Sequence, residues 1–239
     1  MTLAVKTIKL LYPQLFHVTC IAHLLHNCAL KVKAHYDIVD QLIARLKALI
    51  VKNKSRQAKF DAIGQPPQPI VTRWAGWIKA ALYYASNLPT VKEIVRSFED
   101  GGLLLRRAKE IVEEPDLCQS LLAISQCYAP LATLVVKVES ANYTIKQASS
   151  DLAALNFGDD PCKIQSYLAK RLSSHDLPII MEARRDDISP ATYGRLQLCQ
   201  ATSASVERSF SMLRKILAKD RQFSAENVKK YVILHYNSL

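Results

Sequence analysis

Three places along the chain combine residue types and spacings that could do chemistry. Near the C-terminus, Ser205-Val206-Glu207-Arg208-Ser209-Phe210-Ser211 opens an amphipathic helix with a carboxylate in its first turn. Near the N-terminus, Cys20-Ile21-Ala22-His23 sets a thiol and an imidazole three residues apart, on one face of a helix, which is half of a zinc site. Between them, Thr72-Arg73-Trp74 joins a guanidinium suited to phosphate with a broad indole face suited to stacking. Each has an ordinary alternative. Glu207 can simply partner the unpaired N–H groups and dipole of its helix. Cys20 can pack while His23 hydrogen-bonds, and a complete zinc site needs a second pair that neither His26 and Cys28 nor any later residues supply. Trp74 and Trp77 can anchor a core.

The elements that must position these residues follow from periodicity and punctuation. Val206, Phe210, Leu213 and Leu217 fall at the i, i+4, i+7, i+11 spacing of one buried helical face, with Lys215 and Lys219 near its end. Asp220-Arg221-Gln222 is a connector, and Ser224 is placed to cap a second helix that carries Val228 and Tyr231, with Phe223 and Val228 as a hydrophobic staple. Two short helices with such stripes must pack on the body of the protein, on each other or on a second chain.

Upstream, residues 3–11 predict a short basic helix stopped at Pro13, and residues 15–19 a short buried strand. A helical pattern runs from about Leu24 to Phe60, with Leu42, Leu46 and Leu49 on its apolar side and Lys47, Lys52, Lys54, Arg56 and Lys59 facing solvent or a polyanion. Gly64-Gln65-Pro66-Pro67-Gln68-Pro69 ends it. A helix after Trp74 runs to about Ser86. From Leu88 to about Arg171 the pattern is a succession of helices, with Pro89 and Pro115 at first-turn positions and Gly101-Gly102 between two of them. Leu121, Leu122, Ile124, Leu131, Leu134, Val135 and Val138 form a bundle interior, and Gly158-Asp159-Asp160-Pro161 breaks the pattern before a helix through Tyr167 and Leu168. Residues 172–198 are a return crossing.

Composition narrows the class. The chain has 239 residues, 49% hydrophobic and 22% charged, which fits a folded protein with a sizeable core. No run approaches the eighteen or more apolar residues of a membrane span, so none is expected. The six cysteines are scattered without CxxC pairs, which predicts reduced, mostly buried thiols. The net charge of +11 is uneven. Ten basic residues stand against two acidic ones in 1–60, fourteen against fourteen in 61–185, and eight against five in 186–239. A basic N-terminal quarter suggests a polyanion partner, with a solvated lysine-rich face as the alternative.

The SVERSFS block, the run FSAENV at 223–228, the string VTCIAHLLHN at 18–27 and the TRW element together resemble hAT-superfamily transposases, the hobo, Activator and Tam3 group. The resemblance implies a mainly α fold. It has an incomplete RNase H-like remnant with a CxxH in residues 1–63, an all-helical insertion in 64–185, and an RNase H-like helix with the family's dimerisation region in 186–239. It implies structural roles for Cys20 and His23, DNA contact for Arg73 and Trp74, and dimerisation or packing for Val206, Phe210, Leu213, Leu217, Val228 and Tyr231. It makes Glu207 the third acid of a catalytic set. In such enzymes two Asp and one Glu hold paired divalent ions about 3.5–4 Å apart. The two Asp precede the CxxH helix, and residues 1–19 carry no Asp or Glu.

The expectation is therefore a truncated, inactive relative in which Glu207 is vestigial. It is expected in the nucleus, with a second copy or a related hAT-derived protein and DNA as partners, and no membrane, metal, cofactor or small-molecule substrate. Two alternatives stay open: an active Mg2+-dependent transposase if the protein is longer and its carboxylate set complete, and a helical scaffold that binds proteins.

Overall fold

The computed structural model describes residues 3–13, 17, 20–68, 76–99, 102–140, 142–173, 189–201, 224, 226, 227 and 230. Among them are ten helices: α1 (Leu3–Leu11), α2 (Ile21–His35), α3 (Asp37–Ile50), α4 (Lys54–Ala58), α5 (Gly76–Arg96), α6 (Gly102–Glu113), α7 (Pro115–Val138), α8 (Ile145–Ala153), α9 (Ile164–Leu172) and α10 (Pro190–Leu198). The fold is mainly α. No strand occurs among the described residues, and one isolated antiparallel bridge joins Thr144 to Gln200. The strand expected at 15–19 falls largely outside them.

The central helix is α7. Leu117, Leu121, Ile124, Tyr128, Leu131, Leu134, Val135 and Val138 recur at helical spacing and are buried. Burying each such side chain contributes about 1.5–3 kcal/mol. This stripe packs chiefly on α5, and also on α2 and α3. Helices on both sides of the Pro-rich stretch at 64–69 thus share one core. Contrary to expectation, Leu122 is 54% exposed, because it lies off the buried stripe. Also against expectation, α7 is long and apolar enough to cross a membrane by length and composition. Its apolar side faces other helices, as the core helix of a bundle does.

Several boundaries differ from the periodicity. The pattern over 24–60 is three helices, not one. Tyr36 leaves helical geometry (φ −104°, ψ 63°) and buries its ring edge-on to Tyr128, with centroids 6.4 Å apart. Asp37 and Asp40 then stand in the first turn of α3, where carboxylates are favoured. Nor does the helix after Trp74 end at Ser86. It continues to Arg96 through Pro89, which is not at a first turn. Leu88, Val91 and Val95 extend the buried face of α5 beyond the proline, and that packing offsets a breaker worth about 3 kcal/mol.

Other ends follow the sequence. Pro115 stands at the start of α7. Asn53 caps α4, accepting from the Arg56 N–H at 3.0 Å. Thr144 and Gln147 form a capping box on α8. Gly102 and Gly158 adopt positive φ, +55° and +58°, at the first residue of α6 and in the turn before α9, a conformation glycine reaches without a Cβ penalty.

Candidate functional site

Cys20 is the residue before the first turn of α2. Its thiol makes no capping hydrogen bond, and the Leu24 N–H donates to its carbonyl at 3.1 Å. Cys20 is half-buried and His23 exposed. The opening of this helix is held by a distant segment. The Ile21 N–H donates to the Ala201 carbonyl at 3.0 Å, the Ala201 N–H to the Tyr143 carbonyl at 3.0 Å, and the Ile145 N–H to the Cys199 carbonyl at 2.8 Å. Residues 199–201 therefore form a strap that satisfies a first-turn donor on both α2 and α8, groups that a helix cannot satisfy internally. The strap brings the start of the CxxH helix within one hydrogen bond of the run that leads into the C-terminal block.

Most of the other expected site residues cannot be placed. Arg73, Trp74, Val206, Glu207, Phe210, Leu213, Leu217, Val228 and Tyr231 lie outside the described residues. Ser224 is described, and its hydroxyl accepts from the Asn227 N–H at 3.3 Å, the geometry of a cap. Lys230 pairs with Glu226 one turn earlier at 2.8 Å.

Trp77 is 8% exposed and its indole N–H donates to Asp40 Oδ1 at 3.0 Å, so it is a core anchor with a satisfied polar edge. The same carboxylate lies 3.3 Å from Lys33 Nζ. Asp37 and Asp40 are the only acids in residues 1–60, and Asp40 is thus engaged in holding α5 and α2 together. Among the described residues no three His, Cys, Asp or Glu side chains converge as a metal's ligands do.

The basic residues expected to face a polyanion divide into two kinds. Lys52 and Lys54 are exposed. Arg56 and Lys59 instead serve the fold. Arg56 donates to the Leu49 carbonyl at 3.2 Å and lies 5.1 Å over the Phe98 ring. Lys59 donates to the Ser97 carbonyl at 3.0 Å and to Ser97 Oγ at 2.8 Å, at the C-terminal end of α5 where a cation is favoured.

The thiols also depart from expectation. Only Cys28 is buried, while Cys118 and Cys199 are exposed and Cys20, Cys127 and Cys162 are half-buried. Burial pushes the Cys28 thiol up to about 12, so it stays protonated and unreactive at neutral pH.

Two arrangements escaped the sequence reading. At the first, the Tyr128 hydroxyl donates to Asp160 Oδ1 at 2.8 Å and accepts from the Cys162 N–H at 3.3 Å, while Asp160 Oδ2 accepts from the Gln165 N–H at 2.9 Å. Burial raises the Tyr128 hydroxyl, which therefore remains a donor. The signal was present in Asp160, placed ahead of α9 where a carboxylate can cap. The second is an open groove between α3 and α6, lined by Ala44, Arg45, Leu103, Leu104 and Arg107. Its signal was Leu103 and Leu104, which stand off the Leu105, Ala108, Val112 stripe that α6 buries.

No family model, curated protein or solved structure matches this chain.

Proposed function

We propose that this chain is a helical binding module of hAT-transposase descent, which pairs with a second copy or a related chain, associates with DNA and does not cut it. The observation that carries the reading is the hydrogen bond from the Ile21 N–H to the Ala201 carbonyl. It joins the opening of the CxxH helix to the segment six residues before Glu207, two motifs that in the resembled family belong to one RNase H-like core. The remnant of that core, the division into a partial RNase H-like segment, an all-helical insertion and a C-terminal dimerisation region, and a nuclear location all rest on the same resemblance. The proposal of inactivity rests on the acids. The resemblance expects two Asp ahead of the CxxH helix to complete Glu207's set for paired ions; residues 1–19 as given supply no acid, and Asp40 is engaged by Trp77 and Lys33.

Light scattering tests the pairing. A dimer at micromolar concentration that becomes a monomer on Phe210→Asp supports it, and a monomer before the substitution overturns it. Gel shifts at rising salt test the DNA association, since binding through phosphates weakens steeply. Magnesium-dependent cleavage of terminal-repeat DNA, lost in Glu207→Gln, would instead establish a transposase. A second reading, a scaffold that binds proteins rather than nucleic acid, is favoured by the use of Arg56 and Lys59 inside the fold. Absence of a gel shift even at low salt would support it.

A further inference from the structure

We propose that the groove between α3 and α6 is a docking site for an acidic amphipathic helix of a partner protein, an inference independent of any association with DNA. The groove is a shallow depression of about 570 Å3, widely open to solvent. One wall is Leu103 and Leu104, 54% and 37% exposed, in a helix whose other leucine, Leu105, is buried. The opposite wall is Ala44, whose small side chain lets a third backbone approach α3 closely. Arg45 and Arg107 stand at the rim.

The charge decides the occupant. Among the described residues Arg107 has no ion-pair or hydrogen-bond partner. Arg45 makes only a long bond, 3.4 Å, to the Gln41 carbonyl. Two guanidiniums without carboxylates, on either side of exposed leucines, complement a surface that is apolar along its centre and acidic along its edges. A helix with leucines at i, i+4 and i+7, flanked by Glu or Asp, has that surface, and helix-in-groove docking buries such anchors while Arg takes carboxylates bidentately. A nucleic-acid backbone would meet the arginines but leave the leucines against charge. Glu110, exposed one turn beyond Arg107 on α6, disfavours a partner carboxylate beyond that arginine and so gives the docked helix a direction.

The test is fluorescence anisotropy of the full chain with three labelled helical peptides of about fifteen residues: one with the leucine stripe and glutamate flanks, one with lysine in place of glutamate, and one with alanine in place of leucine. The glutamate–leucine peptide is expected to bind about tenfold or more tighter than either control. Arg45→Glu with Arg107→Glu is expected to reverse the preference toward the lysine peptide, and Leu104→Asp to abolish both. Arg107→Glu alone, at an exposed position, should show a partial reversal with unchanged circular dichroism. Equal binding of the acidic and basic peptides, or no binding of any, overturns the proposal. So does a double variant that loses affinity for duplex DNA while its peptide preference is unchanged.

Discussion

The seam where Tyr128 meets residues 158–163 and the groove between α3 and α6 are both junctions of helices, but they treat polar groups in opposite ways. At the first, the polar groups of Tyr128 and Asp160 have partners inside the protein. The Tyr128 hydroxyl both donates and accepts, Asp160 accepts through both oxygens, and the Asn156 carbonyl oxygen of the side chain accepts from the Gly158 N–H at 2.9 Å. At the second, Leu103, Leu104 and Arg107 are exposed, and the half-buried Arg45 makes one long bond to the Gln41 carbonyl. A satisfied polar network adds uniqueness to a core, because an unpaired buried group costs far more than a good bond contributes. An unsatisfied, half-apolar surface contributes little to folding and is available to a partner. The contrast assigns stability to one junction and recognition to the other.

That assignment can be broken in four ways. The largest effect is expected away from both junctions, at Leu121→Ala on the buried face of α7, with a loss of about 2–5 kcal/mol in denaturant unfolding because a cavity adds to the lost transfer energy. This sets the scale for the closed side. Next comes Tyr128→Phe, which leaves Asp160 Oδ1 and the Cys162 N–H without their partner and should cost about 1–3 kcal/mol. A neutral outcome there would remove the distinction between the junctions.

A smaller effect is expected from pH. Burial, followed by the nearby charge of His23, holds the His26 imidazole below its ordinary value of 6.5, and its Nδ1 is enclosed without a hydrogen-bond partner. In the window between that lowered value and 6.5 the unfolded chain binds more protons than the folded one, so stability rises with pH there and is lost on acidification below about 6.5. Urea unfolding on either side of that window should show the slope, and His26→Gln should flatten it. Least affected should be Arg107→Glu, whose melting temperature is expected to correspond to a change within about 0.5 kcal/mol, as for surface positions generally. A clear loss of stability there would mean that the groove is part of the fold after all.

Much of the helical body was legible in the sequence, and the physical reasons are local. Residues 3–11, the start of α7 at Pro115, the break at 158–161 and the cap at Ser224 each depend on a few neighbouring residues, through periodicity, a fixed φ or one hydrogen bond. What was not legible depends on residues distant in sequence. The break at Tyr36 carries no glycine or proline and is decided by a ring that reaches Tyr128. The passage of α5 through Pro89 is decided by the burial of Leu88, Val91 and Val95. Arg56 and Lys59 read as free cations because nothing nearby announces Phe98 and Ser97 as their partners. For the candidate site the balance is different. Sequence motifs named Cys20 and His23, which the structure places at the start of α2, and Arg73, Trp74 and Glu207, which lie outside the described residues, whereas the strap, the Tyr128 network and the α3–α6 groove come from three-dimensional proximity.

The strap at residues 199–201 also has a bearing on the order of folding. Its bond to Ile21 closes a loop that contains nearly the whole described body, a closure that is entropically unfavourable on an unfolded chain and cheap once α2 to α9 have assembled. The tie therefore belongs to the last stage of assembly and the first stage of opening. In native-state hydrogen exchange the amides of Ile21 and Ala201 should lose protection before those of Leu121 and Ile124, so that the two ends part while the interior is still intact.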